Sequence, residues 1–300
     1  MAVAATGFFD GVHLGHKKVI DRMTALAVER GEESAIVTFW PHPRSVLQQD
    51  ADKLRLLTTL DEKKALCRKY GVDRFEVIPF SRKVSLMSAR EFISQCLVGE
   101  LGVSALMLGY DHRLGHDSFS SPEQMMDVVR SCGVEPVRID EFSLGEGTVS
   151  STAIRRKVAE GDIVAAEKML GYRYSLSGVV VAGNRIGRTI GFPTANMQLY
   201  EPLKLVPGNG VYAVRTDVEG ETYMGICNIG TRPTVGLCNS RTIETHILEF
   251  NQDIYGLDIR IEFIARLRDE RKFNSLAELK SQLERDKELA GSLTIGLSTM

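Results

Sequence analysis

Along the first half of the chain, short apolar or β-branched runs alternate with stretches whose apolar residues recur at every third or fourth position. The runs are Ala2–Thr6, Ala35–Phe39, Phe75–Ile78, Ala105–Leu108 and Val137–Ile139; between them lie His16–Arg30, Leu60–Tyr70, Ser88–Leu97 and Ser121–Ser131. Runs apolar throughout suit strands covered on both faces, and the three-four spacing suits the helices that cover them. Gly31, Gly71, Gly99 and Gly133 stand near the helix ends, where glycine takes the left-handed cap conformation. The pattern predicts a parallel sheet with covering helices. Further helices are predicted from Val149 through Glu160 and from Gly161-Asp162 onward.

After Leu170-Gly171-Tyr172 the period becomes two. Tyr174–Val181, Gly210–Thr216, Thr222–Ile229, Thr242–Phe250 and Leu257–Leu267 alternate without intervening helices, which predicts an antiparallel sheet or barrel. A helical stretch from Ser275 to about Leu289 closes the chain. The change of period places a domain boundary at Gly171, giving domains 1–171 and 172–300.

Composition narrows the classes. Three hundred residues with 43% apolar content can bury two cores. Through Gly171 there are 22 basic and 24 acidic residues, and after it 15 of each, so neither half has the basic excess that nucleic-acid binding needs. The five cysteines (Cys67, Cys96, Cys132, Cys227, Cys238) are odd in number and form no C-x-x-C pair, which fits reduced core thiols in a cytoplasmic protein. No apolar run approaches the roughly 20 residues of a membrane span, and no charged n-region precedes an apolar h-region, so neither a membrane protein nor an exported one is expected.

The run Ala2–Thr6 leads into Gly7-Phe8-Phe9-Asp10-Gly11-Val12-His13-Leu14-Gly15-His16 and then a helix. Strand, glycine loop and helix turn unpaired N–H groups and a positive dipole end onto an anion, usually a phosphate. His13 and His16 can donate to the α- and β-phosphates of a nucleotide and stabilise the charge on departing pyrophosphate, while Gly15 allows close backbone approach. The chemistry implied is nucleotidyl transfer, with Gly7, Phe9 and Asp10 completing the loop. Ser150-Ser151-Thr152 cap a second helix start, and Arg155, one turn in, adds a phosphate-binding group. In the second half, Gly183, Gly187 and Gly191 form a phosphate-covering loop with Arg185 and Arg188, and Pro193 rigidifies a turn presenting Thr194 and Asn196. Those two neutral oxygens suit Mg²⁺, which takes few protein ligands beside nucleotide oxygens and water. In Thr242–Phe250 alternation puts Glu244, His246 and Leu248 on one face and Ile243, Thr245 and Ile247 on the other. A carboxylate facing into a small barrel is costly without a task or a partner.

These stretches, together with Phe39-Trp40-Pro41-His42-Pro43, Phe80-Ser81, Glu91-Phe92, Gly109-Tyr110-Asp111 and Asp253-Ile254-Tyr255-Gly256, resemble the bacterial bifunctional riboflavin kinase/FMN adenylyltransferases, also called FAD synthetases. The resemblance runs along nearly the whole chain. It implies a Rossmann-like nucleotidyltransferase domain followed by a six-stranded antiparallel riboflavin kinase barrel, although the periodicity locates five strands. It further implies that ATP phosphorylates riboflavin to FMN and then adenylylates FMN to FAD with release of pyrophosphate. By the resemblance His13 and His16 hold the triphosphate, Asp111 meets the ATP side and the Ser150–Arg155 helix start binds phosphate. Pro41, His42 and Pro43 lie near the flavin. In the second domain Gly183, Gly187, Arg188, Gly191 and Pro193 cover the nucleotide, Thr194 and Asn196 hold Mg²⁺, Glu244 is the base for the ribityl hydroxyl, and Arg271 contacts flavin.

The chain departs from the family at Phe8, where an asparagine is usual, at Leu114, where a phenylalanine is usual, and in beginning almost on its first strand. These departures motivate an alternative: a riboflavin kinase with an impaired or regulatory flavin- and nucleotide-binding N-terminal module. Aminoacyl-tRNA synthetases also use a His-x-Gly-His turn, but no Lys-Met-Ser-Lys loop follows here and the charge balance does not favour tRNA.

Overall fold

The structure is a computed structural model. It describes the chain except for residues 48–53, 110–113, 118, 141–142, 145–146, 184–186, 188–189, 233–239 and 296–300. The chain forms two compact units, Met1–Ser151 and Thr152–Met300.

The first unit is built on a parallel sheet with β1 (Ala2–Thr6) at its centre. β2 (Glu33–Trp40) and β3 (Arg74–Pro79) lie on one side of it, β4 (Val103–Leu108) and β5 (Glu135–Arg138) on the other, in the order β3-β2-β1-β4-β5. All five residues of β1 are buried because both faces are covered. Val3 and Ala5 pack under α1 (Leu14–Arg30) with Ile20 and Met23, whereas Ala2 and Ala4 pack with Phe92, Ile93 and Leu97. Two short helices, α2 (Pro43–Leu47) and α4 (Arg82–Ser85), flank α3 (Leu60–Lys69) in sequence and are too short to show a period. The expected helix Ser88–Leu97 is α5 (Ala89–Glu91) continued by π-helical turns over Phe92–Glu100, and α6 (Pro122–Ser131) follows β4. A two-stranded hairpin, β6 (Ser143–Leu144) and β7 (Gly147–Thr148), precedes α7 (Ser151–Glu160). Because the sheet is parallel, the segments after β1, β2 and β4 gather at its carboxyl edge, where open α/β sheets bind ligands.

In the second unit α7 and α8 (Ile163–Leu170) lead into a closed barrel. Its strands are β8 (Ser175–Val181), β9 (Ala195–Leu199), β10 (Gly210–Val218), β11 (Glu221–Arg232), β12 (Ser240–Ile247) and β13 (Asp258–Arg268). Around the barrel they run β10-β11-β12-β9-β8-β13, every neighbouring pair antiparallel. α9 (Leu276–Ile295) seats Ala290 on Val211, Ala213, Ile226, Leu248 and Ile264 of the barrel's outer surface.

Three expectations change or sharpen. The sixth strand, β9, lies in a segment read as part of the glycine loop. The compact units meet in the chain at Ser151/Thr152, upstream of the change of period at Gly171: α7 and α8 pack on the barrel, and the Gly208 amide donates to Val158 O at 3.0 Å. The barrel interior takes Ile243, Thr245 and Ile247, all buried, with Cys227 opposite Thr245 in the ladder, so Glu244 and His246 stand half-buried on the outer face. Three apolar-sized side chains fill the inside of a six-stranded barrel more favourably than a carboxylate and an imidazole.

Candidate active sites

The chain leaves β1 through a tight loop in which Phe9 and Val12, both buried, adopt positive φ angles of 49° and 36°. L-residues tolerate this conformation only where surrounding packing enforces it, and such strain concentrates at functional sites. His13 caps α1, its Nδ1 accepting from the His16 amide at 3.4 Å, and the two imidazoles stack with centroids 3.7 Å apart and 18° between planes. Phe9 closes the stack at 5.1 Å from His16. A Cβ on Gly15 would lie 3.1 Å from the His13 ring, so glycine lets the ring sit close against the helix start. Burial, helped by His13 and Lys63, holds the His16 imidazole well below its usual pKa, and its Nδ1 is buried without a hydrogen bond. The first turn of α1 contains no acidic residue. A capped helix N-terminus flanked by two imidazoles, that of His16 held neutral by burial, can receive an anion.

Asp10 anchors the loop. Its carboxylate is 3% exposed and accepts from the amides of Leu57, at 2.9 Å, and Thr58, at 3.1 Å, while the Gly11 amide donates to Thr58 Oγ1 at 3.0 Å. The carboxylate thus ties the loop to the segment before α3. The Asp10 carbonyl accepts from Ser151 Oγ at 2.9 Å, which joins the Ser150-Ser151 segment to the same loop. Thr152, exposed, and Arg155, half-buried, belong to the second unit. Gly7 donates its amide to Val37 O at 3.0 Å. Asp111 lies outside the described residues.

On the β2 side, Pro41 is exposed and His42 and Pro43 are half-buried. The His42 ring meets the Phe8 ring edge-on at 3.9 Å, so the Pro41-His42-Pro43 loop touches the β1–α1 loop through Phe8. Lys63, which sequence reasoning passed over, is 1% exposed on α3; its Nζ donates to the Phe8 carbonyl and sits 3.7 Å from the centre of the Phe8 ring. Burial lowers its pKa to about 8 against the opposing pull of Asp10. The only sequence signal there is the capping box of Thr59 and Glu62, which marks a helix start and says nothing of a buried lysine. Leu114 is buried in the core with Leu108 and Phe92, an apolar role for an apolar residue.

In the barrel, Glu244 on β12 stands opposite Asn196 on β9 and Asn228 on β11. Side chains opposite one another in such a ladder are about 5 Å apart at Cβ, so the carboxylate sits between two carboxamides. A Cβ on Gly183 would overlap the Asn196 carboxamide, so any larger residue there would displace that side chain from the row. A cavity of about 550 Å³ is lined by Val180, Pro193, Thr194, Ala195, Thr245, Ile247 and the loop Phe250–Tyr255, a size typical of small-molecule sites. Thr194 therefore lines the cavity, and Asn196, one residue beyond Ala195, shares the row with Glu244. Gly187 accepts from the Ile190 and Phe192 amides at 3.2 Å and 2.8 Å, and Gly191 has φ 84°; Arg185 and Arg188 lie outside the described residues. His246, tilted against Phe192, binds Pro193 O through Nδ1 at 2.7 Å. Arg271 is exposed and held by Gln282 at 2.8 Å, and is not among the residues lining the cavity.

A family model described as FAD synthetase matches residues 1–153, and one described as riboflavin kinase matches residues 170–294. The Bacillus subtilis (strain 168) bifunctional riboflavin kinase/FMN adenylyltransferase is 38% identical over 294 residues, which cover 96% of this chain and 91% of that protein. The chain belongs to the bifunctional riboflavin kinase/FMN adenylyltransferase family. Another family member, from Escherichia coli (strain K12), is 36% identical over 95% of this chain and 90% of its own. A crystal structure described as a macrolide-efflux protein from Streptococcus pneumoniae has a TM-score of 0.88 and 28% identity, covering 96% of this chain and 93% of that one. Matches to both family models favour the two-activity reading over one in which the N-terminal module has lapsed.

Proposed function

We propose that the α/β unit adenylylates FMN and that the barrel unit phosphorylates riboflavin, ATP being the donor in both. The stacked His13–His16 pair at the N-terminus of α1 carries the first assignment. The phosphate of FMN is already anionic at neutral pH, so one of its oxygens attacks the α-phosphorus of ATP without a strong base and pyrophosphate leaves. What the site must supply is donors for the charge gathering on that leaving group, and His13, His16 and the amides of the α1 N-terminus are placed to do so. The Pro41-His42-Pro43 loop, in contact with the turn through Phe8, takes the flavin side.

The row of Asn196, Glu244 and Asn228, with Thr194 on the preceding turn, carries the second assignment. Glu244 accepts the proton of the ribityl 5′-hydroxyl as its oxygen bonds to the γ-phosphorus of ATP, and ADP leaves. Thr194 and Asn196 are neutral oxygen donors of the hard kind that Mg²⁺ prefers, and among the described residues no cluster of three His, Cys, Asp or Glu competes for a metal. Bound there, Mg²⁺ would neutralise phosphate charge. The balanced charge of both halves and the free thiols of Cys67, Cys96, Cys132 and Cys227 support a cytoplasmic enzyme acting on small molecules.

The test is product analysis after incubation with riboflavin, ATP and Mg²⁺. FMN and FAD together are expected. FMN alone from riboflavin, with no FAD from supplied FMN, would overturn the first assignment.

A further inference from the structure

The adenylyltransferase assignment leaves one buried charge without a role. Lys63 is among the largest fully buried side chains of the chain, and a buried ammonium is expensive unless it is bonded and has work to do. Among the described residues its contacts centre on Phe8: Nζ donates to the Phe8 carbonyl and lies over the Phe8 ring at 3.7 Å. The same ring meets His42 edge-on at 3.9 Å. Lys63, Phe8 and His42 therefore form a continuous stack running from α3, across the β1–α1 loop, to the Pro41-His42-Pro43 loop.

The loop has other anchors on its phosphate side. Asp10 is held by the Leu57 and Thr58 amides, the Asp10 carbonyl by Ser151, and His13 by its own cap. Phe8 has a second bond, from Thr38 Oγ1 to its carbonyl, but at 3.4 Å it is long. The ring itself is held by the Lys63 ammonium and by the edge-on contact with His42. Cation–ring attraction strengthens when the cation is desolvated, as it is here.

We propose that Lys63 is a positioning residue for FMN adenylylation: acting through the carbonyl and ring of Phe8, it fixes His42 and so holds the acceptor-side loop in register with the phosphate-binding turn. The inference rests on the assignment of adenylylation to the α/β unit. Lys63 does not touch substrate in this scheme; removing its charge frees the ring, and with it the His42 loop, while the anchored phosphate side keeps its shape.

The test uses the full-length enzyme with FMN and ATP, measuring KM for each substrate and kcat. Lys63→Met is expected to raise KM for FMN about tenfold and to leave KM for ATP within about twofold. Lys63→Arg, which keeps the cation and the donor, holds KM for FMN near that of the unmodified enzyme. Phe8→Leu reproduces the Lys63→Met effect, and the double variant is no worse than either single one, because both changes cut the same stack. Full additivity of the two changes, equal rises in both KM values, or an unchanged KM for FMN in Lys63→Met overturns the inference while leaving the assignment intact. Should Lys63→Met fail to fold, Phe8→Leu alone decides between a selective FMN effect and none. An unmodified enzyme that makes no FAD from FMN overturns the assignment, and the inference falls with it.

Discussion

The Nδ1 of His246 lies 2.7 Å from the carbonyl oxygen of Pro193, so the imidazole donates and strand β12 suspends the turn that carries Thr194 into the cavity wall. A carbonyl can only accept, which fixes the proton on Nδ1. Burial lowers the His246 pKa and the bond to Pro193 opposes that shift. His246→Leu removes the donor; the expected result is a rise of about tenfold in KM for ATP in riboflavin phosphorylation, with His246→Asn retaining part of the function. Steady-state kinetics with riboflavin as substrate, set beside FMN adenylylation in the same preparation, check it.

The two activities separate by mutation. Glu244→Gln is expected to lower riboflavin phosphorylation by about 10²- to 10⁴-fold and to spare the conversion of supplied FMN to FAD. His16→Ala does the reverse. Chromatographic separation of FMN and FAD distinguishes these outcomes, and equal loss of both steps in either variant contradicts the assignment of roles.

ATP binding to the first unit takes up protons in mildly acidic solution. Burial keeps His16 neutral in the free enzyme, and phosphate beside the ring favours the imidazolium, so binding raises a lowered pKa. The uptake is expected on the acidic side of neutrality, where burial still keeps the ring neutral in the free enzyme. Titration calorimetry in buffers of different ionisation enthalpy measures it, and His16→Ala abolishes it. The same depressed pKa makes the folded state bind fewer protons than the unfolded one, so the stability contributed at this residue declines on acidification through that range.

Lys63 gives the opposite limb. The groups whose charge acts on it are Asp10 from the β1–α1 loop and Cys67 on its own helix, and it acts in turn on His16 of α1. With a pKa of about 8 in place of 10.5, it loses its charge as pH rises through 8, and kcat/KM for FMN adenylylation is expected to fall there. Lys63→Arg moves that fall to higher pH because guanidinium stays charged. The stability sign is inverse: between about 8 and 10.5 the unfolded lysine binds the proton and the folded one does not, so rising pH favours the fold.

Asp286 is fully buried and receives Arg268 through both Nε and Nη2 at 2.8–3.1 Å, with Gln282 Nε2 adding a bond at 2.8 Å. Asp286→Ala leaves the guanidinium without its partner and is expected to destabilise the barrel unit by about 3–5 kcal/mol. Urea denaturation followed by α9 amide exchange checks it, the helix losing protection first.

Much of this arrangement could be read from residue order. The apolar runs located the parallel strands because a strand covered on both faces needs no polar side. Alternation in Thr242–Phe250 sorted Glu244 from Thr245 correctly but could not say which set faces inward; that depends on the volume the other five strands leave. β9 escaped notice because Ala195-Asn196-Met197-Gln198-Leu199 has no β-branched or aromatic residue, and its strand form comes from pairing with β8 and β12. Lys63 escaped because a lysine in a helix with a polar capping box reads as a solvated one. Its burial follows from the sheet and loops around it, which no local pattern encodes.

The strand order β3-β2-β1-β4-β5 has two rims, and the barrel has none. β3 carries Arg74 and Glu76 and ends at Pro79; β5 carries Glu135 and Arg138 around Pro136. Charge on a rim strand repels apolar strands from neighbouring molecules, and a proline lacks the N–H that an added strand would need. Both ends of the open sheet are thereby closed to extension. Charge and proline at both rims therefore disfavour pairing of this sheet with a strand from a neighbouring molecule.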